Sequence, residues 1–230
     1  MRMSRQSCLR GSGRYQNLKD GIFAYYTLNG NAYDSTINSR DGIVYGATQI
    51  TGKIDEAYSF DGTNDYIEIS SFPFPANSPI TISFWTYVPS GGTPFTMPIN
   101  NDLDNPNRIF CHAPAYGDVY WDYGNDGWGT GNGRVLVSYD GYYDKWTHVV
   151  LVSSGSAATF QAIYLDGSLA ISKDSSMGQS GTSKLLINKR TYEDTQYGSG
   201  SVDEIGIWTR MLSLSEIQQL YNSGSGIRLY

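Results

Sequence analysis

A chain of 230 residues that is 40% hydrophobic and 14% aromatic can bury one large core and is too apolar for a disordered segment. Its formal charge of −6 is uneven: residues 1–20 carry +4 and the rest carries −10, an acidic body without the clustered Lys and Arg that nucleic acid requires. No run approaches the roughly 18 apolar residues of a membrane span.

The first segment, "MRMSRQSCLRGSGRYQNLKD", holds Arg2, Arg5, Arg10 and Arg14. These are the charges of a signal-peptide start, but no apolar stretch follows them, so export through a signal peptide is not expected. Without periodicity, residues 1–20 read as a basic arm, and residues 21–230 as the folded domain. Cys8 lies in the arm and Cys111 in mid-chain, an arrangement unlike a disulfide framework. With His112 and His148 they also lack the paired spacing of a zinc site.

From residue 21 onward, short alternating or apolar runs are bounded by Gly, Pro, Asn, Asp or Ser. They predict strands at 22–28, 57–60, 65–69, 80–88, 108–112, 118–123, 134–138, 146–152, 159–165, 184–188 and 202–208. Within 80–88, Ile82, Phe84, Thr86 and Val88 share one face, and Ser83, Trp85 and Tyr87 the other. The Gly- and Asn-rich stretch 91–133 is predicted to be mostly loop. One helix closes the series. Ser213 and Glu216 have capping-box spacing, Leu214, Ile217, Leu220 and Tyr221 make an apolar stripe, and Gly224 supplies a stop. The class is all-β.

Six phrases stand in order: "DGIFAYYTLNGNAYDST", "AYSFDGTNDYIEI", "ITISFWTYVP", "KWTHVVLV", "AIYLDGSL" and "VDEIGIWTRMLSLSEIQQLY". Together they resemble the laminin-G-like branch of the concanavalin A-like lectin/glucanase superfamily, over about residues 20–222. The resemblance implies a jelly-roll sandwich of two curved antiparallel sheets, one convex and one forming a concave trough. It lacks the disulfide usual in secreted members. That fold hosts glycosidases, lectins, receptor modules and virion proteins, so the sites must decide the function.

Retaining glycoside hydrolysis needs two carboxylates about 5–5.5 Å apart. Relatives with that activity place them at alternate positions of one strand. Here Asp203 and Glu204 are adjacent and are expected to face opposite sides, and the alternate positions after Glu204 are Gly206 and Trp208. The adjacent acids of "YEDTQ" (192–196) read as a solvated loop. His112 and His148 are the only histidines, and no Gly-x-Ser-x-Gly elbow is present. His148, inside "WTHVVLV", is expected to pack or hydrogen-bond on its strand. The chain is not expected to be an enzyme.

The resemblance implies a structural calcium ion, carried here onto Asp34, the Gly62 carbonyl and Asp203, with Asp61 beside them. The alternative for each aspartate is to cap its own turn. Between Tyr116 and Gly133, Tyr116, Tyr120, Trp121, Tyr123 and Trp128 interleave with Asp118, Asp122, Asn125 and Asp126. Aromatic faces stack on sugar rings and Asp or Asn bond their hydroxyls, so Trp128, Tyr116, Tyr123, Asp126 and Asn125 are the expected recognition residues. Core packing is the alternative, above all for Tyr120 or Trp121. The chain thus reads as a non-catalytic module for glycan or protein recognition. It is expected to decorate a larger assembly such as a virus or phage particle, anchored through Arg2, Arg5, Arg10 and Arg14. Outside such a particle the expected location is cytoplasmic. The rival reading is a secreted or periplasmic carbohydrate-active enzyme, or its binding module.

Overall fold

Period-two alternation requires that each sheet bury one face, and the chain meets this with two layers. The computed structural model describes residues 15–93, 96–97, 108–125, 133–156, 160–174, 178–179, 181–190 and 196–230. The larger layer is an antiparallel sheet that runs, edge to edge, through seven strands. These are β12 (Ser168–Lys173), β11 (Gln161–Leu165), β10 (Trp146–Ser153), β6 (Ile80–Tyr87), β14 (Ser199–Trp208), β4 (Glu56–Asp61) and β3 (Thr48–Thr51). An eighth, β1 (Ile22–Tyr26), also pairs with β14.

The second layer joins two three-stranded sheets. One orders β13 (Leu185–Ile187), β5 (Tyr66–Ile69) and β2 (Ile43–Tyr45), and the other β7 (Arg108–Ala115), β8 (Asp118–Asn125) and β9 (Arg134–Ser138). Thr96 stitches them: it bridges His112 of β7, and its carbonyl accepts the Asn188 N–H at 2.6 Å. The core between the layers takes Ile82, Phe84 and Val149 from one side and Ile67, Ile187, Trp121 and Tyr123 from the other. Ile82 and Phe84 of β6, and Val88 just past its end, share that core, as their alternation predicts. The architecture is therefore an antiparallel β-sandwich.

The far face of the large sheet is covered as well. The short helix α1 (Gln16–Lys19), the helix α2 (Leu214–Tyr221) and the terminal segment 225–230 lie over it and enclose a second cluster with Tyr25, Val150, Trp208, Ile217, Leu220, Ile227 and Leu229. The capping box of α2 is present: Ser213 Oγ accepts the Glu216 N–H, and the Glu216 carboxylate accepts the Ser213 N–H at 2.8 Å. Ile217 and Leu220 are buried, whereas Leu214 is exposed and does not extend the stripe.

Three strands escape the sequence signals. All of β3 is exposed, as is most of β12, and β2 has three residues, so none offers an alternation of buried and exposed positions long enough to read as a strand. Among the described residues of 91–133, β7 and β8 outrun the predicted 108–112 and 118–123 and reach eight residues each, because their ladder continues to Ala115 opposite Asp118 at the hairpin and to Arg108 opposite Asn125 at the other end.

Candidate functional site

Asp203 and Glu204 do not face opposite sides. Along β14 the pairing with β6 passes from Asp203–Trp85 to Gly206–Ser83, three steps on one strand against two on the other. This extra residue is a β-bulge, and Glu204 takes the left-handed conformation at φ 50° to accommodate it. Both carboxylates therefore reach the covered face of the large sheet. Asp203 Oδ2 accepts the Ile54 N–H at 2.8 Å, and Glu204 lines a cavity with Tyr25, Ser83, Trp85, His148 and Trp208. Its space of about 10 Å³ is room for a single water at most. Gly206 is required beside it, since a Cβ there would lie 2.3 Å from the Trp208 ring.

The electrostatics of this cluster follow from burial. Burial pushes the Glu204 carboxyl up to about 8, with Asp203 adding to the shift, while the Tyr25 hydroxyl and Arg228 pull it back by less. Burial likewise pushes Asp203 up to about 7. The Tyr25 hydroxyl donates to Glu204 Oε2, and Arg228 Nε stands 3.6 Å from Oε1 while its guanidinium pairs with Asp55. His148 behaves as its strand context predicts: it is buried, 2.9 Å from Ser83 Oγ, and burial pushes it down to about 3. The cluster can hold protons, but α2 and residues 225–230 cover it, with Glu204 only 4% exposed, so a polymer has no path to it. Tyr25 and Arg228 were not singled out from the sequence. The one local hint of the bulge was Gly206, two residues beyond Glu204.

The residues carried over as calcium ligands are spread out. Asp61 pairs with Ser199, four positions along β14 from Asp203, a separation of about 13 Å along the strand. Gly62 follows Asp61 at φ +84°, in the turn where Asp61 Oδ1 accepts the Thr63 N–H. Asp34 accepts four hydrogen bonds: Tyr25 N–H and Thr36 N–H on Oδ1, Thr36 hydroxyl and Arg40 N–H on Oδ2. Those fill the roughly four acceptor sites of a carboxylate. Among the described residues, no group of three or more His, Cys, Asp and Glu could hold a metal ion.

The expected recognition residues are divided by strand parity. Tyr123 faces the core, fully buried, with its hydroxyl donating to the Ser78 carbonyl at 2.7 Å. It is not a surface residue. Trp121 is likewise core, with Nε1 donating to the Val152 carbonyl. Tyr116 caps the β7–β8 hairpin and is 95% exposed. Asn125 ends β8 opposite Arg108. Asp126, Trp128 and the arm residues Arg2, Arg5, Arg10 and Arg14 lie outside the described residues.

The opposite parity builds the outer face of the second layer. There Phe110, Asp122 and Arg134 are register partners, as are His112, Tyr120 and Leu136. Asp122, with no exposed surface, binds Arg108 at 2.8 Å and Arg134 at 2.5 Å. The two guanidinia lie over Phe110 and Tyr120, 4.7 and 5.2 Å from the ring centres. The His112 ring sits edge-on to both Phe110, at 4.5 Å, and Tyr120, at 5.9 Å.

A family model described as the concanavalin A-like lectin/glucanases superfamily matches residues 61–218. None of the curated proteins compared matches the chain. Among solved structures, the binding domain of Paraclostridial Mosquitocidal Protein 1 superposes with a TM-score of 0.68 at 19% identity, over 90% of this chain and 53% of that one. Domain 4 of AbnA, an extracellular arabinanase from Geobacillus stearothermophilus solved with arabinotriose, gives 0.62 at 16% identity, over 90% of this chain and 98% of that one. The ligand-binding domain of botulinum neurotoxin serotype D, in complex with N-acetylneuraminic acid, gives 0.66 at 14% identity, over 88% and 51%. This chain spans about half the length of the two toxin domains. At these identities the likeness is one of fold.

Proposed function

Since the chain belongs to the concanavalin A-like lectin/glucanases superfamily, we propose that it is a non-catalytic module that recognises a glycan or a protein surface. The observation that carries this reading is the end-to-end fit to an arabinanase domain solved with arabinotriose. The toxin neighbours are binding domains too. The covered Asp203–Glu204 pair supports the absence of hydrolysis. Incubation with arabinan, β-glucan, galactan and mannan is expected to release no reducing ends. A glycan array is expected to show binding. Reproducible hydrolysis abolished by Glu204→Gln would overturn the non-catalytic reading, and an array with no hits would overturn glycan recognition.

The module is proposed to work within a larger assembly such as a virus particle, with residues 1–20 as its anchor. What supports this is the charge contrast between the +4 arm and the −10 body. Deleting residues 1–14, which removes Arg2, Arg5, Arg10 and Arg14 but keeps α1 and its buried Leu18, should leave the sandwich folded and abolish incorporation, and normal incorporation of the truncated chain would refute the anchor. The arabinanase fit also favours a second reading, an accessory module of a carbohydrate-active enzyme. No helix among the described residues is long and apolar enough to cross a membrane.

A further inference from the structure

We propose that the chain associates head to tail, with the arginine-bearing residues 1–14 of one copy docking on Tyr116, Asp118, Asp140 and Tyr143 at the tip of the next. This rests on the reading of the arm as an anchor and names what it holds, a second copy of the same chain.

The tip is built from two connections at one end of the second layer. Asp118 is the register partner of Ser138, and the Tyr139 N–H donates to the Gly117 carbonyl at 2.8 Å. The β7–β8 turn therefore lies against the loop from β9 to β10. Tyr139 is buried there, and its ring stands 5.1 Å from that of Tyr143, which is half-buried. Burial raises the Tyr143 hydroxyl, and Asp140 and Asp118 raise it further, in keeping with two carboxylates beside the ring. Asp140 is exposed and Asp118 partly so, and among the described residues neither carboxylate has a cation or a hydrogen-bond donor on it. The other charges of the loop are engaged: the Ser90 N–H donates to Asp144 at 2.9 Å, and Lys145 lies 4.8 Å from the Tyr142 ring centre.

Tyr116 completes the tip with almost its whole surface exposed, at φ 52° and followed by Gly117 at φ 87°. Two successive positive φ values make a turn that Asn-Gly fits and that tyrosine does not. So exposed, the ring does not pack the fold, and what it offers is a contact surface. A ring beside a free carboxylate fits an arginine, whose guanidinium stacks on the one and pairs with the other. The protein uses that combination within itself, where Arg134 binds Asp122 and lies over Tyr120.

The occupant follows from charge and from where the arm begins. Residues 1–14 hold Arg2, Arg5, Arg10 and Arg14 and no acidic residue. They lead into α1, whose Leu18 carbonyl accepts the Trp208 Nε1–H at 2.7 Å, and Trp208 pairs with Thr81 at the start of β6. The tip lies past the other end of β6, where the Val88 carbonyl accepts the Asp144 N–H at 2.9 Å. Arm and tip are thus more than about 20 Å apart along the strands, and end-to-end contact of two copies brings them together. Such an interface is heterologous and can repeat from copy to copy.

Sedimentation velocity of the full chain at rising concentration should show association that salt weakens. An arm variant replaces Arg2, Arg5, Arg10 and Arg14 by glutamine. A tip variant combines Tyr116→Asn, Asp118→Asn and Asp140→Asn. Each should weaken association by at least about tenfold. Asn-Gly suits the turn, so the tip variant should melt no lower than wild type. Mixed together, the two variants should recover a complex with one copy of each, because one keeps the tip and the other keeps the arm. If the mixed variants stay apart, head-to-tail pairing is wrong. A wild type that stays monomeric overturns the inference, while the anchor survives if deleting residues 1–14 still abolishes incorporation. Association that ignores the arginine replacements overturns the arm as occupant. If only the arm variant dissociates, the arm binds elsewhere and the tip assignment falls.

Discussion

Replacing Glu204 by glutamine should flatten the dependence of folding stability on pH. In the folded chain burial pushes the Glu204 carboxyl from its ordinary 4.5 up to about 8. Between those values the folded state holds a proton that the unfolded state has released. The stability tied to that proton is complete below the unfolded value and is lost as pH climbs toward the folded one. While the folded group stays protonated, the loss runs at about 1.4 kcal/mol per pH unit, or roughly 2 kcal/mol from about pH 6.5 to 8. Asp203, pushed up to about 7, adds to the loss in the lower part of that window. The buried His112 and His148, both pushed down to about 3, act oppositely: their stability grows as pH rises and is mostly gained below their ordinary 6.5. Subtracting variant from wild type cancels the histidines. Urea unfolding followed by tryptophan fluorescence at about pH 6.5, 7.2 and 8 measures the difference. The variant should gain about 2 kcal/mol on the wild type across the window. Parallel stabilities would refute the reasoning and show that Glu204 is already ionised in the fold.

Asp122→Asn should be severe, because Asp122 is fully buried between Arg108 and Arg134 and neutralising it leaves two guanidinia without their shared carboxylate. The expected cost of about 3–5 kcal/mol would appear as a melting temperature roughly 10 °C lower, and a shift within a degree or two would refute it. Ser213→Ala removes the side-chain half of the α2 capping box and should cost about 1 kcal/mol in urea unfolding. An unchanged midpoint would mean that packing of Ile217 and Leu220 alone holds the helix. Calcium, proposed from the family resemblance, faces a carboxylate at Asp34 that already accepts four hydrogen bonds, so an ion must displace turn contacts. By mass action the melting temperature should rise with calcium and fall with chelator, and superimposable curves with no metal by elemental analysis would refute the site.

What the sequence by itself determined was whatever depends on neighbours along the chain. The alternation of Ile82 and Phe84 against Ser83 and Trp85 specifies two faces of β6, and both faces are found where the pattern puts them. The spacing of Ser213 and Glu216 specifies where α2 begins, because the cap satisfies N–H groups within one turn. Parity also tied Tyr123 to Trp121 against Tyr120 and Asp122, but not in the right set, since Tyr123 was placed with the surface residues. Alternation says which residues share a face and not which face meets the other layer, and the packing of β8 on the large sheet put Trp121 and Tyr123 inside. The same limit governs Asp203 and Glu204. Adjacent residues oppose each other only in a regular strand, and the extra residue that turns both carboxylates to one side exists only in the register of β14 against β6. The cover over them comes from Ile227, Arg228 and Leu229, brought from the end of the chain onto β1 and β14. The seam at Thr96 and His112 likewise joins two sheets that no local pattern connects. Burial, and with it every proton affinity discussed above, is set by which distant segments come together, so only the tertiary structure could decide it.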